Sequence, residues 1–171
     1  MEPSRQFSDV HLMHCLFANQ RFRTRDDRNA RASVGMGWQG YVAAAVTFHN
    51  HERIGVLGVQ SLYALEMQMA AFEEAVGNAD AATVPMRIYL EWGRWDLISP
   101  HEAMDMRASS RKAWDLLIGR GWQPAGGEVW DSTDWASWRH RTGVLLETLF
   151  PLTGEAPSPG LDAWKTGSGA E

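Results

Sequence analysis

The chain has 171 residues and a mass of 19.2 kDa, enough for one domain with a sizeable core and too little to demand two. A formal net charge of -5 and a pI near 5.7 argue against a nucleic-acid partner, because neutralising phosphates needs a basic face. The single cysteine, Cys15, excludes an internal disulfide, and no window approaches the roughly 20 apolar residues of a membrane span. The first residues lack the apolar core of a signal peptide, so the expected location is cytoplasmic.

From Phe7 to Phe22 the apolar residues Val10, Met13, Phe17 and Ala18 recur at helical spacing, which predicts an amphipathic helix ending before RTRDDRN. That basic stretch, Arg21 to Arg31, is interrupted by Asp26 and Asp27 and reads as a solvated loop. RASVG (31–35) then reads as a buried strand, residues 41–49 as a helix of small residues packed close to a sheet, and IGVLGV (54–59) as a second buried strand. Nearly continuous apolar runs are how parallel strands look when both faces are covered. A helix is expected over 62–76, and MRIYLE (86–91), entered through Pro85, is a third strand. After Ser99 and Pro100 a long helix is predicted, with Ala103, Met106, Ala113, Trp114, Leu117 and Ile118 on its inner face and Gly119 to Gly121 at its end. GEVW (127–130) is a fourth strand and residues 135–150 the last helix. Strands alternating with helices predict an α/β domain over 1–151, with about four mainly parallel strands flanked by helices. Residues 152–171, rich in Gly, Pro, Ser and Ala, carry too little apolar surface to offset ordering entropy and are expected to form a disordered tail.

The stretch GMGWQG (35–40) falls where the first strand gives way to a helix, the setting of a serine hydrolase's nucleophile elbow, G-x-S-x-G. Gly37 stands where the serine would be. Gly35, Gly37 and Gly40 also match the G-x-G-x-x-G dinucleotide fingerprint, but its acidic partner would have to be Glu52, which precedes the next strand instead of ending it. No cofactor is expected.

Three stretches resemble the enterochelin-esterase-like esterases of the α/β-hydrolase superfamily. RFRTRDDRNARASVGMGWQGYVAAAVTFHNHERIG is similar to the family's helix, loop, elbow strand, elbow and following helix, where members read R-Y-R-T, G-x-S-x-G-G and H-P-E-R-F-G; it aligns without a gap and sets Gly37 at the nucleophile. YLEWGRWD (89–96) resembles Y-L-E-x-G-x-x-D, which implies Asp96 as the triad acid. EVWDSTDWASWR (128–139) resembles G-G-H-D-W-x-x-W-R, with Thr133 in the place of the histidine base, Asp131 and Ser132 replacing two glycines, and Asp134 following. The resemblance implies an α/β-hydrolase fold of which this chain carries the C-terminal half. It also implies that the backbone N–H of Trp38, beside Gly35 and Gly40, is the surviving remnant of an oxyanion hole.

A triad needs a hydroxyl nucleophile, a base within hydrogen-bond reach and a carboxylate that orients the base. Gly37 has no side chain and Thr133 cannot accept a proton near neutral pH, so the expected protein is a pseudo-hydrolase, a non-catalytic binding or assembly subunit. The alternative is an esterase using displaced residues or a completing chain. Ser33 would be a nucleophile moved four residues back into the strand. His101 and His140 would be unorthodox bases, although surface histidines are commoner. His11, His14 and Cys15, with His49 and His51, could present metal ligands, yet a helix surface is the more ordinary reading, and no metal is expected. In the resembled fold the elbow strand is central, whereas here the strand over 31–35 would be an edge. A homo-oligomer, or a second protein that completes the sheet, is the expected partner.

Overall fold

The structure, a computed structural model, describes residues 21–152. Four parallel strands form its sheet: β1 (Ala32–Met36), β2 (Val56–Gln60), β3 (Arg87–Trp95) and, after two short strands, β6 (Ala125–Ser132), in the order β1-β2-β3-β6. Three helices, α1 (Trp38–His49), α2 (Glu66–Gly77) and α3 (Met106–Gly119), pack against one another, α1 and α3 also meeting the sheet, while α4 (Trp135–Leu149) packs on β2, β3 and β6. The expected α/β class and its strand order along the chain are what the structure shows.

The alternation of side chains along each strand divides the core in two. Leu57 and Val59 of β2 and Ile88 and Leu90 of β3 join Phe48, Phe72, Leu117 and Trp122 in the larger core. Val56 and Tyr89 point the other way and meet Leu145 and Leu149 of α4. Covered on both faces, all five residues of β2 are buried. Phe48 seats the α1–α3 layer, with its ring edge-on to Phe72 at 5.7 Å and to Trp122 at 5.3 Å. Each fully buried leucine here, Leu57, Leu117 and Leu145 among them, contributes about 1.5–3 kcal/mol of apolar transfer free energy.

Several predicted boundaries move. The first helix starts at Trp38 rather than Tyr41 because Gly37, in a left-handed conformation, turns the strand straight into it. The second starts at Glu66, where the Gln68 side chain accepts from the Leu65 N–H at 2.8 Å; Leu62 is buried in the preceding loop. The largest correction lies at Ser99–Pro100, which does not open the long helix. There the chain forms a small antiparallel hairpin, β4 (Ile98–Ser99) and β5 (Met104–Asp105), around a single 3-10 turn that ends at Ala103 with φ of 50°. Asp105 then caps α3 by accepting from Ala108 N–H at 2.8 Å. Ala103 is therefore an exposed turn residue and Ile118 faces outward, while Met106, Ser110, Ala113 and Leu117 form the buried stripe. Most of the amphipathic helix expected over 7–22, with His11, His14 and Cys15, and nearly all of the expected tail lie outside the described residues.

Candidate functional site

The turn between β1 and α1 passes directly from strand to helix, and the glycines in it answer three separate constraints. A Cβ on Gly35 would stand 2.2 Å from the Gln39 carbonyl oxygen, and one on Gly40 would stand 2.8 Å from Val59 Cγ1. Both are small because the helix lies directly on the strands. Gly37 is small for its backbone: φ is 58° and ψ is -128°, a region that side-chain-bearing residues enter at a cost of about 1–3 kcal/mol. Its N–H donates to Gln60 O at 2.9 Å, and its carbonyl accepts from Gly40 N–H and Tyr63 N–H, each at 3.1 Å, so the turn is held from three sides. Trp38 follows at the first helical position, where a backbone N–H has no intrahelical acceptor, and its ring lies 6.0 Å from both Tyr41 and Tyr63.

Asp96 and Thr133 meet. Asp96 is buried at the end of β3, with Oδ2 accepting from Gly93 N–H at 2.9 Å and Oδ1 from the Thr133 hydroxyl at 2.7 Å. A Cβ on Gly93 would fall 2.5 Å from Asp96 Oδ1, so this glycine makes room for the carboxylate. Thr133 Oγ1 in turn accepts from Leu97 N–H at 3.0 Å. Its single proton has a carboxylate and the Met106 sulfur, 3.4 Å away, to choose between, and the charged oxygen is the stronger acceptor.

Met106 links this pair to the elbow. Its Sδ touches Thr133, and its Cε lies 3.3 Å from where a Cβ on Gly37 would be; Trp138 Cη2 lies 3.6 Å from the same point. The thioether thus reaches both Thr133 and the space above Gly37, and the indole borders that space. Sequence reasoning placed Met106 only as a helix-core residue and did not single out Trp138, although the DWASWR match contains it. It also missed Ser61, which follows β2 with φ of 54° and is fully buried, its Oγ accepting from Trp138 Nε1 at 3.0 Å.

Asp134 caps α4. Its Oδ1 accepts from Ser137 N–H at 2.8 Å and its Oδ2 from the hydroxyls of Ser137 at 2.6 Å and Ser132 at 2.9 Å. The Ser137 hydroxyl and N–H, with Ser132, hold its pKa down to about 2. The other candidates are apart from this centre. His49 bonds the Ala45 carbonyl and His51 the Phe48 carbonyl, each within its own segment, His101 lies in the exposed turn after β4, and His140 is exposed on α4. Ser33 sits inside β1, opposite Leu57. Glu52 lies in an exposed turn before β2. Among the described residues no three His, Cys, Asp or Glu side chains are grouped to hold a metal ion, and no helix is long and apolar enough to cross a membrane.

Beside the site lies a second polar cluster. The fully buried Glu91 accepts from Gln60 Nε2 at 2.6 Å and Arg141 Nε at 2.8 Å on one oxygen, and from the Tyr89 hydroxyl at 2.6 Å on the other. Arg141, itself buried, also ion-pairs with Asp131. Burial and then the Glu91 charge push the Tyr89 hydroxyl far above the ordinary tyrosine range, so it only donates. Burial raises the Asp131 carboxyl, but bonds from Ser137, Ser132 and Arg141 outweigh it and leave the net shift downward.

No family model matches the chain. Among solved structures it is similar to a ferulic acid esterase, with a TM-score of 0.64 over 80% of this chain and 13% sequence identity. The match spans 57% of that esterase's length. The chain therefore has an esterase-like α/β fold, a four-stranded parallel sheet with helices on both faces.

Proposed function

We propose that the chain is a catalytically degenerate relative of the enterochelin-esterase-like hydrolases that acts as a non-catalytic binding or assembly subunit. One observation carries the reading: Met106 reaches from Thr133 to the space above Gly37, so the volume in which a serine and a histidine would work is filled by a thioether. The acid that Thr133 bonds, Asp96, orients a threonine and not a histidine. Removing either the nucleophile or the base of a serine hydrolase costs roughly 10⁶ in turnover.

Assembly follows from the sheet edge. Among the described residues β1 hydrogen-bonds only to β2, and Val34 in its middle is 41% exposed. The ferulic acid esterase has 57% of its length matched, which leaves its remainder without a counterpart in this chain. We propose that a second copy or a second protein pairs with β1. Light scattering at micromolar concentration, with hydrogen exchange across 32–36, tests it. Association that Ser33→Pro disrupts is expected, since proline removes a ladder donor; a monodisperse monomer with protected β1 amides defeats the proposal.

Ser61 favours a second reading, ester hydrolysis by a displaced nucleophile, because a serine at positive φ beside the elbow is the kind of strain active sites store. Its complete burial and the lack of a histidine among its hydrogen-bond partners weigh against it. A fluorophosphonate probe separates the two. No labelling is expected, and labelling lost in Ser61→Ala would establish the second reading.

A further inference from the structure

The sheet's other edge is built differently. β6 hydrogen-bonds only to β3 among the described residues, and its register sets Glu128 opposite Trp92, whose ring meets Trp114 of α3 at 5.7 Å. Glu128 therefore faces the side that α3 covers, and Trp130, where the β3–β6 register shifts, is placed by its contact with Arg94. Two guanidinium groups pair with this one carboxylate. Arg111 of α3 pairs with Glu128, as does Arg94 of β3 at 3.8 Å, and Arg94 Cζ lies 4.5 Å from the Trp130 ring centroid. Arg107 donates to the Arg94 carbonyl at 3.1 Å, while its buried Nε has no hydrogen-bond partner. Trp95 and Trp130 meet edge to face, centroids 5.5 Å apart, and stay 57% and 64% exposed. Exposed indoles braced by arginines are the residue types that carry most of the energy in protein interfaces.

We propose that this edge docks an extended acidic segment of another protein, added to β6 as a further strand, with carboxylates against Arg94 and Arg111 and an apolar side chain against Trp95 and Trp130. The backbone calls for a strand, because the unpaired N–H and C=O groups of an edge are matched by another extended backbone. Charge selects the occupant. A patch in which Arg94 and Arg111 share one carboxylate, with Arg107 bonded to the Arg94 carbonyl, on a chain of net charge -5, sets Arg against Arg in a two-fold contact with its own copy and attracts an acidic partner. The inference stands whether or not the chain hydrolyses esters.

The probe is a capped synthetic peptide of alternating Glu and Phe, with a Lys and Phe peptide as the charge-reversed control and tetragalacturonate as a polyanion of another class. Tryptophan emission and hydrogen exchange of the full chain report binding. The acidic peptide is expected to change the emission and slow exchange across 125–132. Trp130→Ala and Arg94→Glu should each weaken it roughly tenfold or more with circular dichroism unchanged. Arg53→Glu, an exposed charge before the amino-terminal end of β2, should leave it within about twofold. The proposal is overturned by no binding of the acidic peptide, by equal binding of the Lys peptide, or by a loss in Arg53→Glu as large as in Arg94→Glu. Tetragalacturonate binding more tightly, without protection of β6, would assign the patch to an acidic carbohydrate instead.

Discussion

Two polar clusters lie at the carboxyl ends of the same strands, and they keep their carboxylates in different ways. Around Glu91 a buried charge is met by a buried cation and two neutral donors, so it is compensated inside the fold. Around Asp96 the buried carboxylate has no cation among its hydrogen-bond partners and is held by one backbone N–H and one threonine hydroxyl. The first balances its charges within the fold but leaves the buried Arg141 Nη2 without a hydrogen-bond partner. The second is a carboxylate that fixes the direction of a threonine hydroxyl. Neutral donors can therefore satisfy a buried carboxylate where no cation bonds to it.

The comparison breaks most visibly at Arg141. Replacing it as Arg141→Met leaves Glu91 and Asp131 without their cation and should cost about 3–5 kcal/mol in urea unfolding. Adding Glu91→Gln should recover much of that loss; if it recovers none, packing and not charge holds the cluster. A smaller effect is expected at the other cluster. Asp96→Ala strands the Gly93 N–H and the Thr133 hydroxyl at about 1–3 kcal/mol, and under the non-catalytic reading proposed above it changes no ester turnover. Authentic turnover of an aryl ester that vanishes in Asp96→Asn would overturn the non-catalytic reading.

Gly37→Ser sharpens the contrast between geometry and chemistry. The positive φ should make it destabilising by about 1–3 kcal/mol, and Met106 Cε must give way to the new side chain. Even combined with Thr133→His it should yield little ester turnover, since Asp131 and Ser132 shape the loop where the base would sit and Met106 fills the space between. A double variant approaching ordinary esterase rates would show an intact pocket.

The smallest effect is a pH dependence at the start of α4. The Asp134 pKa is lowered to about 2, so its stabilisation is complete above the unfolded value near 3.8 and is lost as pH falls towards 2; Asp131, also lowered, has the same sign. The urea midpoint should fall between about pH 6 and about pH 3, and by less in Asp134→Asn. An identical slope in that variant would remove Asp134 from the account.

Much of this was legible in the residues. In YLEWGRWD each matched position has a role in the structure: Tyr89 donates to Glu91, Gly93 clears space for Asp96, and Asp96 meets the Thr133 predicted to replace its partner. The hairpin at 98–105 was not legible, because Pro100 suits the first turn of an α-helix as well as a 3-10 turn, and only the positive φ of Ala103 separates them. The cap that Asp134 forms was not read from its motif, because it depends on where Ser137 N–H points once α4 has formed.

By itself the sequence determined the strands, their parallel class and that Gly37 carries no hydroxyl and Thr133 no imidazole, since these depend on local periodicity and on which atoms a side chain possesses. Only the tertiary structure decided that Met106 fills the space between those positions, that Arg141 neutralises Glu91 from 50 residues away, and that Trp95 and Trp130 stand exposed at an edge braced by Arg94. Contacts between distant elements depend on how helices seat on the sheet, and periodicity along one segment records the direction a side chain faces but not what it meets there.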